Sequence, residues 1–261
     1  MNSLAIFGII VVVLIMVVFS LKYALTDKTS VTDVLDASKT TAIEIKQNKS
    51  SNDFTFSVWV FVKEWSTGYD KFKPIFWVDE LLSAKGGDHN DISKILSDCT
   101  IAKCDSDLQS KSLITAAFDK TENNVIFAMR YATEPTTRTT IKNHIFKCQL
   151  SNVPIQKWVH LTFVLNNKTL DLYMNGKLSK TCILPGVPTI NTPTFVNLHG
   201  KGDDHFNGFT SKFQHFPNAL NTQEVWNLYS NGYGNLGSSM SDYKLQFSLI
   251  ENGSIINTLT L

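Results

Sequence analysis

The amino-acid sequence predicts an all-β protein, a two-sheet antiparallel jelly-roll sandwich, preceded by one N-terminal transmembrane helix. Residues Leu4 to Leu21 form an apolar run without a charge. As a helix with 1.5 Å rise per residue, this run would span about 27 Å, close to the hydrocarbon core of a bilayer. Beyond Lys22, short segments alternate apolar and polar residues with period two between polar turns, which is typical of strands. Helix-period patterns are scarce there, so the chain divides into an anchor and a β domain.

Residues 1–22 are predicted to be a membrane anchor. A cleaved secretory signal is the alternative, but the apolar run is long for a signal, and the residues before it carry no basic side chain. The orientation in the membrane stays open. Lys22 and Lys28 weakly favour a cytoplasmic location for the rest of the chain, whereas the cysteines and the N-glycosylation sequons favour the opposite side.

Residues 23–40 are polar and rich in Ser and Thr, so they are predicted to form a stalk, and residues 41–261 are assigned to the sandwich. Residues 54–62 (FTFSVWVFV) place large apolar side chains on both faces of a strand, which predicts a central strand covered on both sides. The same alternation predicts further strands at 42–46, 73–78, 113–118, 125–131, 141–150, 158–165, 170–175, 177–184, 195–199, 206–216, 243–250 and 254–261.

Two local signals punctuate these strands. Asn175-Gly176 predicts a tight hairpin turn, because both residues tolerate positive φ. Residues 222–230 (TQEVWNLYS) predict one short helix with Thr222 as a candidate N-cap. Residues 79–112 show neither the period of a strand nor that of a helix, and they are predicted to form a long excursion, or loop, from the sandwich.

The composition limits the classes of partner and the redox chemistry. The net charge is +1 and no basic cluster is present, which argues against nucleic-acid binding. The four cysteines permit two disulfides, and their spacing favours one pairing; the alternative is four free thiols. The favoured pairs are Cys99–Cys104 and Cys148–Cys182.

Several motifs resemble a known family. Val153–Leu161 (VPIQKWVHL) and Leu170–Lys177 (LDLYMNGK) resemble the core of laminin-G-like, concanavalin A-like lectin/glucanase domains, in which a Trp begins a core strand and an Asn-Gly hairpin follows. Residues 56–62 (FSVWVFV) resemble the early strand of that family. The similarity covers roughly residues 40–235, and it implies a concanavalin A-like sandwich.

A narrower resemblance concerns a branch of this family in large double-stranded DNA viruses, whose members are often membrane-anchored. It is carried by Lys180–Gly186, Gly208–Gln214 and Asn231–Gly234. This resemblance implies a single-pass protein of a virion membrane, with a glycan or protein partner that could be a capsid protein.

Some relatives of this fold hydrolyse β-glucans with carboxylates arranged on one strand as E-x-D-x-x-E. Retaining hydrolysis needs two carboxyl groups about 5 Å apart, and alternate positions of a strand share a face. The sequence contains no such motif. We therefore predict no catalytic residue and no enzyme activity.

Two groups of residues are candidates for ligand binding. Trp65 and Tyr69 lie in a turn-rich stretch and could stack on a sugar, although a Trp in such a loop can instead plug the end of a sandwich. Asp203 and Asp204, in the segment HGKGDDHFNG, could bind a ligand or hold Ca²⁺, although a solvated turn is the alternative. No other cofactor is expected.

Together these observations predict a membrane-anchored, non-enzymatic recognition protein with a lectin-like domain. The alternative is a structural minor virion protein that links the viral membrane to the capsid shell. The two hypotheses differ in whether the domain faces outward or lies beneath the shell.

Overall fold

The structure is a computed structural model that describes residues 32–44, 53–79, 112–132, 143–188, 195–200, 202–234, 246–251 and 254–260, with the isolated residues 13, 16, 93, 96 and 97. The chain divides into two compact units. The first comprises Ser30–Tyr233, and the second comprises Met1–Thr29 together with Gly234–Leu261. The described residues of the first unit include two antiparallel sheets and the helix Thr222–Ser230. In the second, the described strands form one antiparallel hairpin.

Most strands and the helix fall close to the positions predicted from the sequence, but the two-residue strands Leu35–Asp36 and Val187–Pro188 were not predicted. In chain order they are β1 Leu35–Asp36, β2 Thr41–Glu44, β3 Phe54–Glu64, β4 Lys73–Asp79, β5 Ser112–Phe118, β6 Val125–Ala132, β7 Asn143–Leu150, β8 Trp158–Asn166, β9 Thr169–Met174, β10 Lys177–Ile183, β11 Val187–Pro188, β12 Phe195–Leu198, β13 Asn207–Phe216, α1 Thr222–Ser230, β14 Gln246–Glu251 and β15 Ser254–Thr260. Every strand pair described is antiparallel. The predicted all-β, two-sheet antiparallel sandwich is confirmed.

The two sheets of the first unit have different strand orders. One has six strands in the order β1-β13-β3-β8-β9-β10. The other has seven, with β11-β6-β5-β4-β12-β2 in one path and β7 paired with β6. Consecutive strands β8, β9 and β10 form a meander, and its second turn, at Asn175 and Gly176, has φ of 52° and 73°. Both residues adopt the left-handed backbone that the Asn-Gly pair predicted.

Phenylalanine side chains dominate the core between the sheets. The rings of Phe76 and Phe163 meet edge to face at 5.8 Å, and those of Phe127 and Phe163 stack at 5.0 Å. Each such buried ring contributes roughly 1.5–3 kcal/mol to folding. The buried phenylalanines of this cluster are Phe54, Phe56, Phe76, Phe118, Phe127, Phe163, Phe206 and Phe213.

The outer face of the six-stranded sheet is partly covered by α1. Trp59 of β3 stacks on Tyr229 of the helix with 5.6 Å between ring centroids, and Val225 is fully buried against Val164 and Tyr173. The strand β3 is therefore covered on both sides, as its sequence predicted.

The N-cap of α1 is Asn221 rather than the predicted Thr222. The Asn221 side chain accepts a hydrogen bond from the backbone N–H of Glu224, and the Glu224 carboxylate accepts one from the backbone N–H of Asn221. This reciprocal capping box satisfies two donors, which an N-cap at Thr222 would leave without these partners.

A disulfide joins Cys148 of β7 to Cys182 of β10 and confirms the predicted pairing. Among the described strands, β7 pairs with β6 alone and β10 with β9 alone, so each is an edge strand of its sheet. The bridge therefore closes one open side of the sandwich. The predicted Cys99–Cys104 pair lies outside the described residues.

The first strand begins earlier than the predicted domain boundary. Residues 32–40, assigned to the stalk from the sequence, contribute β1, and the Thr32 hydroxyl accepts a hydrogen bond from the N–H of Phe213. Ala37 is fully buried in the core. In the part of the chain that the structure describes, no helix has the length and apolarity needed to cross a bilayer. The predicted anchor lies outside the described residues, except for Val13 and Met16.

Candidate functional site

A cleft of about 530 Å³ lies where three connections of the sandwich meet. Trp65 directly follows β3. Residues 121–124 connect β5 to β6, and residues 152 and 155 belong to the segment between β7 and β8. The lining residues are Trp65, Thr121, Glu122, Asn123, Asn124, Asn152 and Ile155.

Backbone hydrogen bonds hold these connections together. The N–H of Val153 donates to the carbonyl of Asn123 at 2.7 Å, and the N–H of Gln156 donates to the carbonyl of Val62 at 2.7 Å. Asn152 and Gln156 both have positive φ, near 58° and 59°. The cleft is therefore built from connections whose path is fixed by backbone contacts.

An amide and carboxylate network forms the polar wall of the cleft. The side chain of Asn124, which is buried, accepts a hydrogen bond from the N–H of Asn152 at 3.0 Å and donates to the Glu122 carboxylate at 2.5 Å. The amide of Asn123 donates to the carbonyl of Val153 at 3.0 Å. Carboxylate and amide groups held in this way can accept and donate hydrogen bonds to hydroxyl groups of a ligand.

Trp65 supplies the aromatic part of the same wall. Its indole N–H donates to the carbonyl of Thr121 at 3.3 Å, and its ring meets Phe118 edge to face at 5.7 Å. The ring is packed against the core rather than projecting freely from a loop. Trp65 packs on the end of the core and also lines the cleft, and its stacking on a sugar stays a prediction.

Lys73 lies behind this wall and is fully buried. Its ammonium donates to the carbonyls of Lys71, Asp119 and Lys120 at 3.3, 3.0 and 3.1 Å. It also lies 4.3 Å from the centroid of the Trp65 ring, which is cation–π geometry. Burial lowers the pKa of Lys73 to about 8, and the charge of Asp119 partly opposes that shift.

The other predicted ligand-binding residues lie on two neighbouring loops outside the cleft lining. Tyr69 is 62% exposed. Lys71 forms ion pairs with Asp203 at 3.7 Å and with Asp204 at 3.4 Å. The loops touch at Gly68, where a Cβ atom would lie 2.8 Å from the carbonyl oxygen of His205. The structure thus brings Tyr69, Asp203 and Asp204 into one region but does not place them with Trp65 in the cleft.

The predicted calcium ligands, Asp203 and Asp204, lie beside a lysine side chain. Ca²⁺ takes six to eight oxygen ligands, whereas the carboxylates of Asp203 and Asp204 are paired with the ammonium of Lys71. Within the described ranges, no group of three or more His, Cys, Asp or Glu residues could hold a metal ion. His199, from the same motif, is buried and bonds to the Lys39 carbonyl and the Thr210 hydroxyl.

A buried Ser–His pair lies beneath α1, away from the cleft lining. The Ser57 hydroxyl is 2.8 Å from Nε2 of His160, and both residues are about 1% exposed. Trp59 and Tyr229 contact the imidazole of His160. Burial, together with the nearby charge of Lys212, lowers the pKa of His160 to about 3. The pair is thus a neutral, sealed contact of the sheet face, without access for a substrate.

The family comparison agrees with this geometry. Residues 102–226 match a laminin G-type family model described as the concanavalin A-like lectin/glucanases superfamily. This segment, just under half of the chain, is therefore similar to that superfamily. This match includes most of the lining of the cleft, namely residues 121–124, 152 and 155, but not Trp65.

Solved structures with a similar fold include two neurotoxin domains. The botulinum neurotoxin serotype G binding domain is 14% identical, with a TM-score of 0.50, and the match covers 78% of this chain and 48% of that domain. The receptor-binding domain of botulinum neurotoxin D is 12% identical, with a TM-score of 0.51, and the match covers 78% of this chain and 45% of that domain. The chain thus matches about half the length of each of these domains. A comparison with curated proteins found no significant match.

Proposed function

We propose that the concanavalin A-like sandwich is a non-enzymatic recognition module that binds a carbohydrate in the cleft beside Trp65. The observation that supports this proposal is the cleft itself, which combines an aromatic ring with a fixed carboxylate and amide wall. Ligand sites typically combine an apolar or aromatic surface with a few well-placed polar groups. The description of the two similar neurotoxin domains as binding domains fits a recognition role.

The proposal extends to the location of the protein. The apolar run Leu4–Leu21 supports a single-pass membrane anchor, and the resemblance of Lys180–Gly186 and Gly208–Gln214 to a branch from large DNA viruses supports a virion membrane. In this setting the sandwich would bind a glycan, or a protein that carries one, from a membrane-tethered position.

A glycan array tests the carbohydrate proposal. The full-length chain, kept in detergent because of its apolar run, is applied to immobilised glycans as wild type, as Trp65→Ala and as Tyr69→Ala. Tyr69→Ala is the matched control, because this aromatic residue is exposed on a neighbouring loop but does not line the cleft. We expect saturable retention that Trp65→Ala weakens at least about tenfold, or about 1.4 kcal/mol, and that Tyr69→Ala leaves unchanged.

Two outcomes would count against carbohydrate binding in the cleft. Equal weakening by both substitutions would place the ligand elsewhere. A folded wild-type chain that retains no glycan would refute the lectin-like function and favour the structural role between membrane and capsid shell. Trp65→Phe, which keeps a ring against Phe118, replaces Trp65→Ala if circular dichroism shows that the alanine variant is unfolded.

A further inference from the structure

Lys73 has an unusual set of partners for a buried lysine. A buried ammonium is normally compensated by a carboxylate. Among the described residues, no carboxylate forms an ion pair with Lys73, and its ammonium contacts three backbone carbonyls and the face of Trp65. The direct contacts of this ammonium are therefore backbone dipoles and a ring, and the charge of Asp119 acts on it from a greater distance.

The partners of Lys73 belong to the two sides of the cleft. Two of its carbonyl acceptors, at Asp119 and Lys120, immediately precede the lining residues Thr121–Asn124. Its ring partner, Trp65, lines the cleft and donates to the carbonyl of Thr121. One ammonium thus ties the aromatic side of the cleft to the start of its polar wall.

The charged groups around Lys73 include residues of the connection between β3 and β4 and of the connection between β5 and β6. Asp119 contributes the negative charge, and it favours the protonated amine. Lys71 is engaged with Asp203 and Asp204, and the Lys120 ammonium lies 5.0 Å from the Phe72 ring centroid. Burial outweighs the effect of Asp119, so the pKa of Lys73 falls to about 8. The amine consequently changes charge at mildly alkaline pH, whereas an exposed lysine would keep its proton.

We propose that the protonated side chain of Lys73 positions Trp65 and residues 119–121, so that the shape of the cleft depends on the charge of this one amine. Loss of the proton removes the cation–π attraction and one of the three N–H donors. The neutral amine can then satisfy only two of its carbonyl acceptors, so Trp65 and the polar wall are no longer held together. This inference concerns the cleft of the proposed function, but its first test needs no ligand.

The test follows the indole N–H resonance of Trp65 by NMR in the full-length chain, assigned by its absence in Trp65→Phe. We expect this resonance to shift with pH, with a midpoint near 8 in the wild type. The pH-dependent shift should be lost in Lys73→Met, which has no ionisable group. It should also be lost in Lys73→Arg, because the guanidinium keeps its positive charge between pH 6.5 and pH 9.5. Lys120→Met is the matched control, because it removes a neighbouring ammonium that contacts Phe72 and not Trp65.

A wild-type resonance that does not titrate between pH 6.5 and pH 9.5 would overturn the proposal. A shift that persists in a folded Lys73→Arg would also do so, since another group would then cause it. If Lys73→Met fails to fold, the wild-type and Lys73→Arg titrations still decide.

Repeating the glycan array at pH 6.5 and at pH 9.5 distinguishes the proposed carbohydrate binding from the proposed positioning role of Lys73. Retention that is lost at the higher pH in the wild type but kept in Lys73→Arg supports the positioning role in binding. A silent array combined with a titrating Trp65 refutes carbohydrate binding and leaves the positioning role supported.

Discussion

The disulfide between Cys148 and Cys182 gives a stability prediction whose size follows from the chain connectivity. Replacing both cysteines by alanine removes the link between the edge strands β7 and β10 without burying a hydroxyl group. Their sequence separation is 34 residues. For a loop of that length, the entropy that the bridge removes from the unfolded chain is about 13 cal/mol/K, or about 4 kcal/mol at room temperature.

Urea denaturation followed by tryptophan fluorescence measures this loss. We expect the free energy of unfolding of the full-length Cys148→Ala/Cys182→Ala variant to fall by about 4 kcal/mol relative to the oxidised wild type. Adding a reducing agent should destabilise the wild type by at least this amount, and the variant only by the smaller contribution of the predicted Cys99–Cys104 bridge. Cys99→Ala/Cys104→Ala is the matched control, because the predicted bridge between these cysteines would close a much shorter loop and should matter less.

One result would refute this reasoning. Peptide mapping must first show that the Cys148–Cys182 bridge is present in the oxidised wild type. If the double variant then unfolds within about 1 kcal/mol of the wild type, loop closure does not stabilise this sandwich. Strain in the folded state or residual structure in the unfolded chain would then offset the entropy.

Three further predictions concern the helix and the buried histidines. Gly176→Ala should lower the free energy of unfolding, measured by urea denaturation, by about 1–3 kcal/mol. The reason is that Gly176 has positive φ and an added Cβ would lie 2.9 Å from the Trp226 ring. An unchanged urea midpoint would contradict the tight packing of the turn on α1. Asn221→Ala should cost about 1 kcal/mol by loss of the capping box, and Asn221→Ser should recover most of it. Burial lowers the folded-state pKa values of His160 and His215 to about 3 and about 4, so the unfolded chain binds more protons below pH 6.5. The free energy of unfolding should therefore fall by up to about 1.4 kcal/mol per pH unit for each histidine as the pH drops from 6.5 towards 4. A urea midpoint that does not change over this pH range would show that the imidazoles are solvated.

The strands could be predicted because their signal is local. Alternation in the segment FTFSVWVFV and the Asn175-Gly176 turn depend on neighbouring residues alone, and both gave the observed elements. The N-cap was assigned one residue late, although Asn221 and Glu224 have the spacing of a capping box. Asn and Thr are both common N-cap residues, so residue type alone could not show whether Asn221 or Thr222 is the N-cap.

The cleft and the first strand depend on contacts between distant parts of the chain. Leu35 pairs with Thr210 of β13, so the polar composition around Leu35 gave no sign that it belongs to a sheet. Trp65 was identified because an aromatic side chain in a turn-rich stretch is unusual. Asn124 and Asn152 were missed, because Asn is common in turns and only the sheet topology brings these connections to Trp65.

The position of β1 determines how a mechanical load would enter the sandwich. The segment 32–37 is attached to β13 by the short β1–β13 ladder and by further hydrogen bonds on either side of it. These run from the N–H of Lys212 to the Thr32 carbonyl, from the N–H of Phe213 to the Thr32 hydroxyl, and from the N–H of Ala37 to the Gly208 carbonyl. A force that pulls on the chain at Thr32 loads these bonds before it reaches the long ladder between β13 and β3. Peeling this segment away would release about 20 Å of chain while the two sheets stay closed. The edge strand would thus act as a short extensible element that absorbs tension.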